Sequence, residues 1–322
     1  MAKEIAITEI EGFRIGNAEN ADAGTGCTVI LCENGAIGGV DVRGGSPGTR
    51  ETDALNPICN RKSVHAVFFA GGSAFGLDAG GGVMRFLEEQ GVGRDVGVAR
   101  VPNVSGAILF DLKYKRADIR PDADMGYLAC QNAYETAPQQ GNFGTGTGCT
   151  VGKILGQEHA MKGGLGLFAL QEGELKAGAV VAVNCVGDVI DRKTSEVLAG
   201  VRRDGSTCPG GSAELILRTY DAQEDFFSGN TVLACVMTNA RLDKAQANRL
   251  AMVCHDALAR AVYPAHTTFD GDTIFVLSNG SVSTNPDAAA VLACDALEQA
   301  ILSGVRHART QIAYHTQESF RS

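Results

Sequence analysis

The segment from Thr231 to Met237 has hydrophobic residues at both odd and even positions. One alternating set is Val232, Ala234 and Val236, and the other is Leu233, Cys235 and Met237. Successive side chains of a strand point to opposite faces, so this pattern predicts a strand that is covered on both sides. The preceding residues, 221–230, are acidic and polar and break at Ser228-Gly229-Asn230. A hydroxyl residue, Thr231, therefore stands where a polar loop enters a buried strand.

Other segments predict a mixture of strands and helices. Strands are expected over 4–10, 13–17, 27–32, 36–42, 65–70, 101–112, 162–170, 176–184 and 273–277. Helices are expected from Phe75 to Gly91, over 124–137 and 242–263, and after the Asn285-Pro286-Asp287 cap. Polar loops are expected over 43–57 and 187–229. From the residues alone, the fold class is α/β or α+β.

Composition and charge narrow the classes of function. The chain has 322 residues, enough for one large domain or two ordinary ones, and 44% of them are hydrophobic. A net charge of −9 argues against nucleic acid or an anionic membrane as a partner. The ten cysteines contain no C-x-x-C pair, and the six histidines show no zinc-ligand spacing, so no metal site is expected. No apolar run is long enough to cross a bilayer, and a reduced cytoplasmic protein is expected.

Glycine is abundant, with 41 residues spread through apolar segments. Gly80-Gly81-Gly82 lies inside a predicted helix, where each glycine costs about 1 kcal/mol relative to alanine, so another backbone is expected to pack against it. The segment GNFGTGTGCTVGKILG, residues 141–156, is superficially like a phosphate-binding loop. Thr147 and Ile154 break the Walker pattern, and both possible G-x-G-x-x-G frames also fail. The segment is therefore interpreted as a glycine-rich turn into a strand that presents Lys153.

Two interpretations of Thr231 are open from the residues alone. The simpler one makes it a residue at a loop-strand boundary, where threonine has a favourable β-propensity. The other is that the chain is cut between Asn230 and Thr231, which frees the α-amino group of Thr231. A free α-amine has a pKa of about 8, so it can act as the base for the hydroxyl of the same residue. One residue would then supply both the nucleophile and its base.

Two motifs resemble those of a family of self-cleaving N-terminal-nucleophile hydrolases. They are GNTVLACVMTNA over 229–240 and G-x-A-F-G-L-D-A over 72–79. The family includes L-aminopeptidase/D-esterase, β-peptidyl aminopeptidases and the nylon-oligomer (6-aminohexanoate-oligomer) endo-hydrolase, and the similarity covers nearly the whole chain. An Asn-Thr cut resembles the nylon-hydrolase branch, whereas the aminopeptidase branch more usually cuts Gly-Ser. The resemblance implies an α+β fold, a four-layer αββα sandwich, in a single domain cut into 1–230 and 231–322.

The resemblance also implies roles for Thr231, Lys153 and Asn184. Thr231 would be the nucleophile. Lys153 would lower the pKa of the Thr231 amine or help to hold the oxyanion, although a lysine among apolar residues is more often a surface residue with a buried stem. Asn184 would donate its side-chain N–H to the oxyanion, and its simpler interpretation is a turn former at a strand end.

Asp270 and Asp272 match the acidic pair of the nylon-hydrolase branch and would orient Thr231. Without the resemblance, Asp270-Gly271-Asp272 could be a simple turn or a fragment of a calcium loop, but the full EF-hand spacing is missing. Thr267 and Thr268 could compete as nucleophiles, yet they lack the glycine-asparagine loop and the strand start.

Three further residues are expected at the edge of the substrate cleft. Phe110 stands where the nylon hydrolase is expected to have a tyrosine, so a hydroxyl role there does not carry over. Gly72 and Ser73 open the second motif, which is otherwise interpreted as architectural. The polar segment Thr49–Asp53 is either a solvated loop or part of the cleft, and no role is assigned to it.

The function expected from the resemblance is hydrolysis of amide bonds in small peptides or amino-acid oligomers, without a cofactor. Family members are usually tetramers of the cleaved heterodimer, so a homo-oligomer is expected. Two alternatives are an acyltransferase of the ornithine acetyltransferase type, which shares the threonine self-cleavage, and an uncut, non-catalytic binding protein. The substrate classes that stay open are α-peptides, β-peptides, D-amino-acid amides and nylon oligomers, with either exo or endo cleavage.

Overall fold

A computed structural model describes residues 2–204, 206, 208–220, 229–310 and 316. Within them the α-helices are α1 Ala79–Glu89, α2 Ala123–Glu135, α3 Ser212–Leu217, α4 Lys244–Ala261 and α5 Pro286–Arg306. The strands of the largest hydrogen-bonded network are β1 Lys3–Ile5, β2 Arg14–Asn20, β3 Thr25–Val42, β4 Thr49–Arg50, β5 Val64–Ala70, β6 Val104–Ile108, β7 Gly164–Glu172, β8 Leu175–Asn184, β9 Thr231–Ala240 and β10 Thr273–Val282. Shorter strands pair outside it: Arg94–Asp95 with Arg100–Val101, Thr150–Val151 with Met161–Lys162, and Asp188–Asp191 with both Glu196–Ala199 and Val262–Tyr263.

The network runs in the order β1-β7-β8-β9-β10-β3-β5-β6-β4, and β2 also pairs with β3. Strand β3 belongs to two sheets. Its first part pairs with β2 and β5, and its last part, from Ile37 to Val42, pairs with β10. We call β2, β5, β6, β4 and the first part of β3 the front sheet, and β1, β7, β8, β9, β10 and the last part of β3 the back sheet.

Three apolar cores separate four layers. Helices α4 and α5 cover the outer face of the back sheet, and α1 and α2 cover the outer face of the front sheet. The third core lies between the sheets. In β9, Val232, Ala234 and Val236 face the helices, while Leu233, Cys235 and Met237 face the other sheet. All residues of β9 are buried, so the strand predicted to be covered on both sides is confirmed, as is the αββα layering.

Local signals place the helices. Asp243 caps α4, since its side chain accepts from the backbone N–H of Gln246 at 2.7 Å and Gln246 returns a bond. Asn285 caps α5 by accepting from the backbone N–H of Asp287 at 2.9 Å, with Pro286 in the first turn, as predicted. In the glycine run, Gly82 meets another backbone as expected, whereas Gly80 packs on side chains and a Cβ on Gly81 would meet nothing within 4 Å. A Cβ on Gly82 of α1 would lie 1.6 Å from the carbonyl oxygen of Ala123, so α1 and α2 touch through their backbones there.

Some predicted boundaries were wrong. The two strands expected over 27–32 and 36–42 are one strand, β3, in which Gly35 has a φ of +78° and the pairing register shifts between Leu31 and Ala36. A bulge absorbs these turn-like residues inside the strand. The expected loop over 43–57 contains the edge strand β4, and the expected loop over 187–229 contains two short strands and α3. The acidic part of that loop, 221–228, lies outside the described residues.

By length and composition, α5 could cross a membrane, which differs from the expectation that no segment could. Its most apolar stretch is 72% buried inside the protein. That burial is typical of a core helix.

Candidate active site

Thr231 is the first residue of β9, and its side chain lies against the peptide bond that precedes it. Its hydroxyl is hydrogen-bonded to the carbonyl oxygen of Asn230. The backbone N–H of Gly271 donates to the same oxygen at 3.0 Å. Both Asn230 and Thr231 are buried, at 2% and 3% exposure. Two donors therefore meet at the carbonyl of the predicted cut site.

Gly271 is brought to this position by the start of β10, which runs parallel to β9. Asn230 and Asp270 form an isolated parallel bridge just before the paired strands begin. A Cβ on Gly271 would lie 2.8 Å from the Thr231 hydroxyl oxygen and 3.0 Å from the carbonyl oxygen of Ser46. Only glycine leaves room for the hydroxyl without displacing its surroundings.

Lys153 comes after the short strand Thr150–Val151 and is buried, not at the surface. Its Nζ donates to the backbone and side-chain oxygens of Asn184, both at 2.8 Å, and to the carbonyl oxygen of Gly229 at 3.3 Å. A lysine ammonium has three N–H donors, so each finds an acceptor. Burial lowers the pKa of Lys153 to about 8, and nearby acidic groups, Asp270 among them, oppose part of that shift.

Asn184 stands at the end of β8, where its Cα is paired with that of Thr231. Its side-chain oxygen also accepts from the backbone N–H of Thr150 at 2.9 Å, and its side-chain nitrogen donates to the carbonyl oxygen of Phe110 at 3.1 Å. Within the described residues, the donor that joins the Thr231 hydroxyl at the Asn230 carbonyl is thus the Gly271 N–H and not Asn184. That donor was not anticipated, because a backbone group leaves no mark in the sequence.

Asp272 connects two segments beside Thr231. One carboxylate oxygen accepts from the backbone N–H of Val232 at 2.7 Å. The other accepts from the backbone N–H of His266 at 3.0 Å and lies 2.8 Å from the ring Nδ1 of the same residue. Asp272 is 1% exposed, so these contacts replace its hydration. His266 was not singled out from the sequence.

Asp270 is equally buried but less fully bonded. One of its oxygens accepts from the backbone N–H and the hydroxyl of Thr267, at 2.9 and 2.6 Å. Its other oxygen has no hydrogen-bond partner within the described residues. Burial, and after it the charge of Asp272, raise the pKa of Asp270 to about 7, while the Thr267 bonds and Lys153 act in the opposite direction. The hydroxyl of Thr267 is therefore engaged with a carboxylate.

A family model for peptidase family S58 matches residues 6–318. The chain belongs to peptidase family S58. It is 42% identical to an uncharacterised aminopeptidase of Mycobacterium leprae over 295 residues, which cover 88% of this chain and 81% of the relative. It is 29% identical to the 6-aminohexanoate-oligomer endohydrolase of Paenarthrobacter ureafaciens over 327 residues, covering 93% and 86%.

Two solved structures have the same fold as this chain. An L-aminopeptidase D-Ala-esterase/amidase from Ochrobactrum anthropi, described as a variant of the Ntn hydrolase fold, superposes with a TM-score of 0.70 at 16% identity, covering 97% of this chain and 89% of that one. A beta-aminopeptidase from Burkholderia sp. gives a TM-score of 0.67 at 20% identity, covering 98% and 92%. The S58 chain has the Ntn-hydrolase fold and is a hydrolase of amide bonds.

Phe110, one of the residues predicted at the cleft edge, lies against the chain that enters the cut site. A Cβ on Gly229 would lie 2.4 Å from the ring of Phe110, so this ring packs directly on the segment before Asn230. Gly72 donates its N–H to Asp111 at 2.7 Å, and Ser73, the next residue, has a φ of +55°. The Ser73 N–H donates to the carbonyl oxygen of Leu109 at 3.0 Å, so both residues bond to neighbours of Phe110, and within the described residues neither has a hydrogen bond to Thr231.

Asp111, the residue after Phe110, is a buried carboxyl that sequence analysis missed. It accepts from the Thr25 hydroxyl at 2.7 Å, and burial raises its pKa to about 6. The segment Thr49–Asp53 begins with strand β4, which pairs with β6 at the edge of the front sheet. The Arg50 guanidinium donates to the Leu77 carbonyl, so this part of the segment is tied to the fold.

Proposed function

We propose that this S58 peptidase cuts itself between Asn230 and Thr231, and that the freed Thr231 is the nucleophile for amide hydrolysis. The observation that carries the proposal is the contact of the Thr231 hydroxyl with the Asn230 carbonyl, to which Gly271 also donates. A hydroxyl held against the carbonyl group that it must attack is the proximity that self-cleavage requires.

Self-cleavage proceeds through an ester. The Thr231 oxygen bonds to the carbonyl carbon of Asn230, and the Gly271 N–H stabilises the negative charge that develops on the carbonyl oxygen. The C–N bond then breaks, and the amine that leaves takes the proton of the hydroxyl. Water hydrolyses the Asn230 ester, which leaves a carboxyl group at Asn230 and restores the hydroxyl of Thr231 beside its free amine.

Substrate hydrolysis repeats the same chemistry. The Thr231 amine accepts the hydroxyl proton as the oxygen attacks the substrate carbonyl, and the proton passes to the departing amine. The charge of Lys153 lowers the pKa of the Thr231 amine, so that the amine is available as a base. Asn184, held by Lys153, donates to the oxyanion, and Asp272 fixes the start of β9 through the Val232 N–H. Water releases the acyl group, and no cofactor takes part.

The proposed substrates are small peptides or amino-acid-like amide oligomers. The names of the relatives, an aminopeptidase and a 6-aminohexanoate-oligomer endohydrolase, support this class. The Phe110 ring, beside the segment that precedes the cut, is the proposed contact for the substrate chain. A panel of aminoacyl anilides, β-peptides, D-amino-acid amides and 6-aminohexanoate oligomers would rank the substrates. Transfer of the acyl group to an added amine, without free acid, would favour the acyltransferase alternative.

The test of the nucleophile compares wild type with Thr231→Ala and Thr231→Ser. Wild type should give two bands on a denaturing gel, with Thr231 as a new N-terminus on sequencing. Thr231→Ala should stay as one band of 33.6 kDa and be inactive, whereas Thr231→Ser keeps a hydroxyl and should still be cut. An active wild-type preparation that lacks the Thr231 terminus contradicts the proposal, as does amide turnover by Thr231→Ala.

We further propose a cytoplasmic homo-oligomer, in the form of a tetramer of cleaved heterodimers. The ten cysteines are all unpaired, which is consistent with a reducing compartment. A groove of about 650 Å³ between α4 and α5 offers an apolar surface for a second copy. Light scattering of the purified protein would give the number of copies.

A further inference from the structure

His266 contacts Asp272 through both its backbone and its ring. Its backbone N–H donates to one Asp272 oxygen at 3.0 Å, and its ring Nδ1 lies 2.8 Å from the same oxygen. The other oxygen of Asp272 accepts from Val232, the residue after Thr231, at 2.7 Å. A continuous chain of hydrogen bonds therefore runs from the His266 ring to the backbone directly behind the nucleophile.

The conformation of His266 is a costly one. Its φ of +57° lies in the left-handed region, which is unfavourable for residues other than glycine. Its second ring nitrogen, Nε2, is buried without a hydrogen-bond partner in the described part of the chain. Strain of this kind persists where the surroundings fix it, and such positions cluster at functional sites.

A second histidine fixes the ring from behind. The rings of His255 and His266 meet edge to face, with centroids 4.7 Å apart and planes at 71°. His255 comes from α4, is 1% exposed, and its Nε2 lies 3.1 Å from the carbonyl oxygen of Asp41 on β3. The His255 ring therefore closes one side of the space around the His266 ring.

We propose that His266 is a positioning residue for the nucleophile, acting through Asp272. Within the described residues, its hydrogen bonds go to Asp272 and not to the Thr231 hydroxyl. It fixes the carboxylate that holds the Val232 N–H, and so sets where β9 begins and where the Thr231 oxygen and amine point. This inference rests on the proposed function of Thr231. A displacement of about 1 Å at a reacting atom can lower the rate about 100-fold, so this indirect hold is expected to affect turnover.

The test uses two replacements that tolerate the left-handed backbone. His266→Gly removes the ring, relieves the strain and keeps the backbone N–H. His266→Asn also tolerates this φ and carries an amide N–H in place of Nδ1. We expect kcat of His266→Gly to fall about 10- to 100-fold with KM within about twofold of wild type. His266→Asn should recover most of that loss.

His65→Asn is the matched control. His65 is also partly buried, and its Nδ1 accepts a single hydrogen bond, from the backbone N–H of Asn103 at 3.0 Å. It lies on β5, on the front sheet, and turnover should match that of wild type. A double mutant cycle with Asp272→Asn adds a second readout. If His266 acts through Asp272, adding His266→Gly to Asp272→Asn should reduce kcat no further.

The outcomes separate this inference from the proposed function. If wild type carries the Thr231 terminus and Thr231→Ala is inactive, yet His266→Gly turns over like wild type, only the role of His266 is lost. Equal losses in His266→Gly and His266→Asn, or losses that add fully to that of Asp272→Asn, also overturn it. If His266→Gly does not fold, His266→Ala replaces it, because alanine has no side-chain donor for Asp272.

Discussion

Asp270 carries its charge in unfavourable surroundings. It is 1% exposed, one of its oxygens has no partner within the described residues, and Asp272 lies two positions away. Burial and that neighbouring charge raise its pKa from 3.8 to about 7. The folded protein therefore keeps a proton on Asp270 over a pH range in which the unfolded chain has lost it.

This proton predicts a pH dependence of stability. Between about pH 4 and 7 the folded state binds one more proton than the unfolded chain. The contribution of Asp270 to the free energy of unfolding is therefore largest below about pH 4 and decreases as the pH rises to about 7. Asp270→Asn removes the titration. The parent for this comparison is the uncut Thr231→Ala protein. The free energy of unfolding of this parent, minus that of the same protein with Asp270→Asn added, should decrease as the pH rises from about 4 to about 7.

Urea unfolding at several pH values measures that difference. The slope should approach at most about 1.4 kcal/mol per pH unit. A difference that stays constant, or one that rises with pH, would contradict a raised pKa at Asp270.

At the scale of residues, the identity of the candidate site residues was easier to predict from the sequence than their burial and their hydrogen-bond partners. Thr231, Asn184, Lys153 and the two carboxylates came from a resemblance carried by short motifs. Lys153 could have been a surface lysine by sequence alone, since its burial depends on acceptors from distant segments. Gly271 gave no signal, because its contribution is a backbone N–H and the absence of a side chain.

At the scale of elements, the glycines of α1 offer a matched pair. A Cβ on Gly82 would lie 1.6 Å from a backbone carbonyl of the segment that starts α2, whereas a Cβ on Gly81 would meet nothing within 4 Å. Gly81→Ala should stabilise the protein by about 0.5–1 kcal/mol through higher helix propensity. Gly82→Ala should destabilise it by about 1–3 kcal/mol or more, since the two helices must separate.

Thermal melting of both variants measures the contrast. If Gly81→Ala and Gly82→Ala shift the melting temperature by the same amount, α1 and α2 do not meet at this point. Circular dichroism of each variant provides the control that the helix content is kept.

The elements themselves could be predicted from local patterns where a single requirement dominated. The double apolar pattern of β9 and the Asn285 cap of α5 are examples, because burial on both faces and capping each select particular residues. Strand β3 was predicted as two pieces because Glu33-Asn34-Gly35 has the composition of a turn. Pairing with both sheets overrides that local preference, and this pairing is not encoded nearby.

For the whole molecule, the position of β9 and β10 predicts the fate of the two fragments that a cut at Thr231 would produce. Both strands come after the cut, yet they lie in the middle of the back sheet, between β8 and β3. Separating 231–322 from 1–230 would expose the paired strand edges and two apolar cores. The two fragments are therefore expected to stay together.

Size-exclusion chromatography and then a denaturing gel test this association. The cut protein should elute as one species that contains both fragments, at the same volume as uncut Thr231→Ala. Separate elution of the fragments in native buffer would contradict it, whereas separation in denaturant is expected.

Strand β3 has a consequence for how the enzyme can admit different substrates. The back sheet supplies Thr231 and Asn184, and the loop after β6 of the front sheet supplies Phe110. Since one strand is shared by both sheets, its backbone ties these two walls to each other. Differences in substrate size should then be accommodated by the loops at the rim of the site, because the scaffold sets the distance between the two walls.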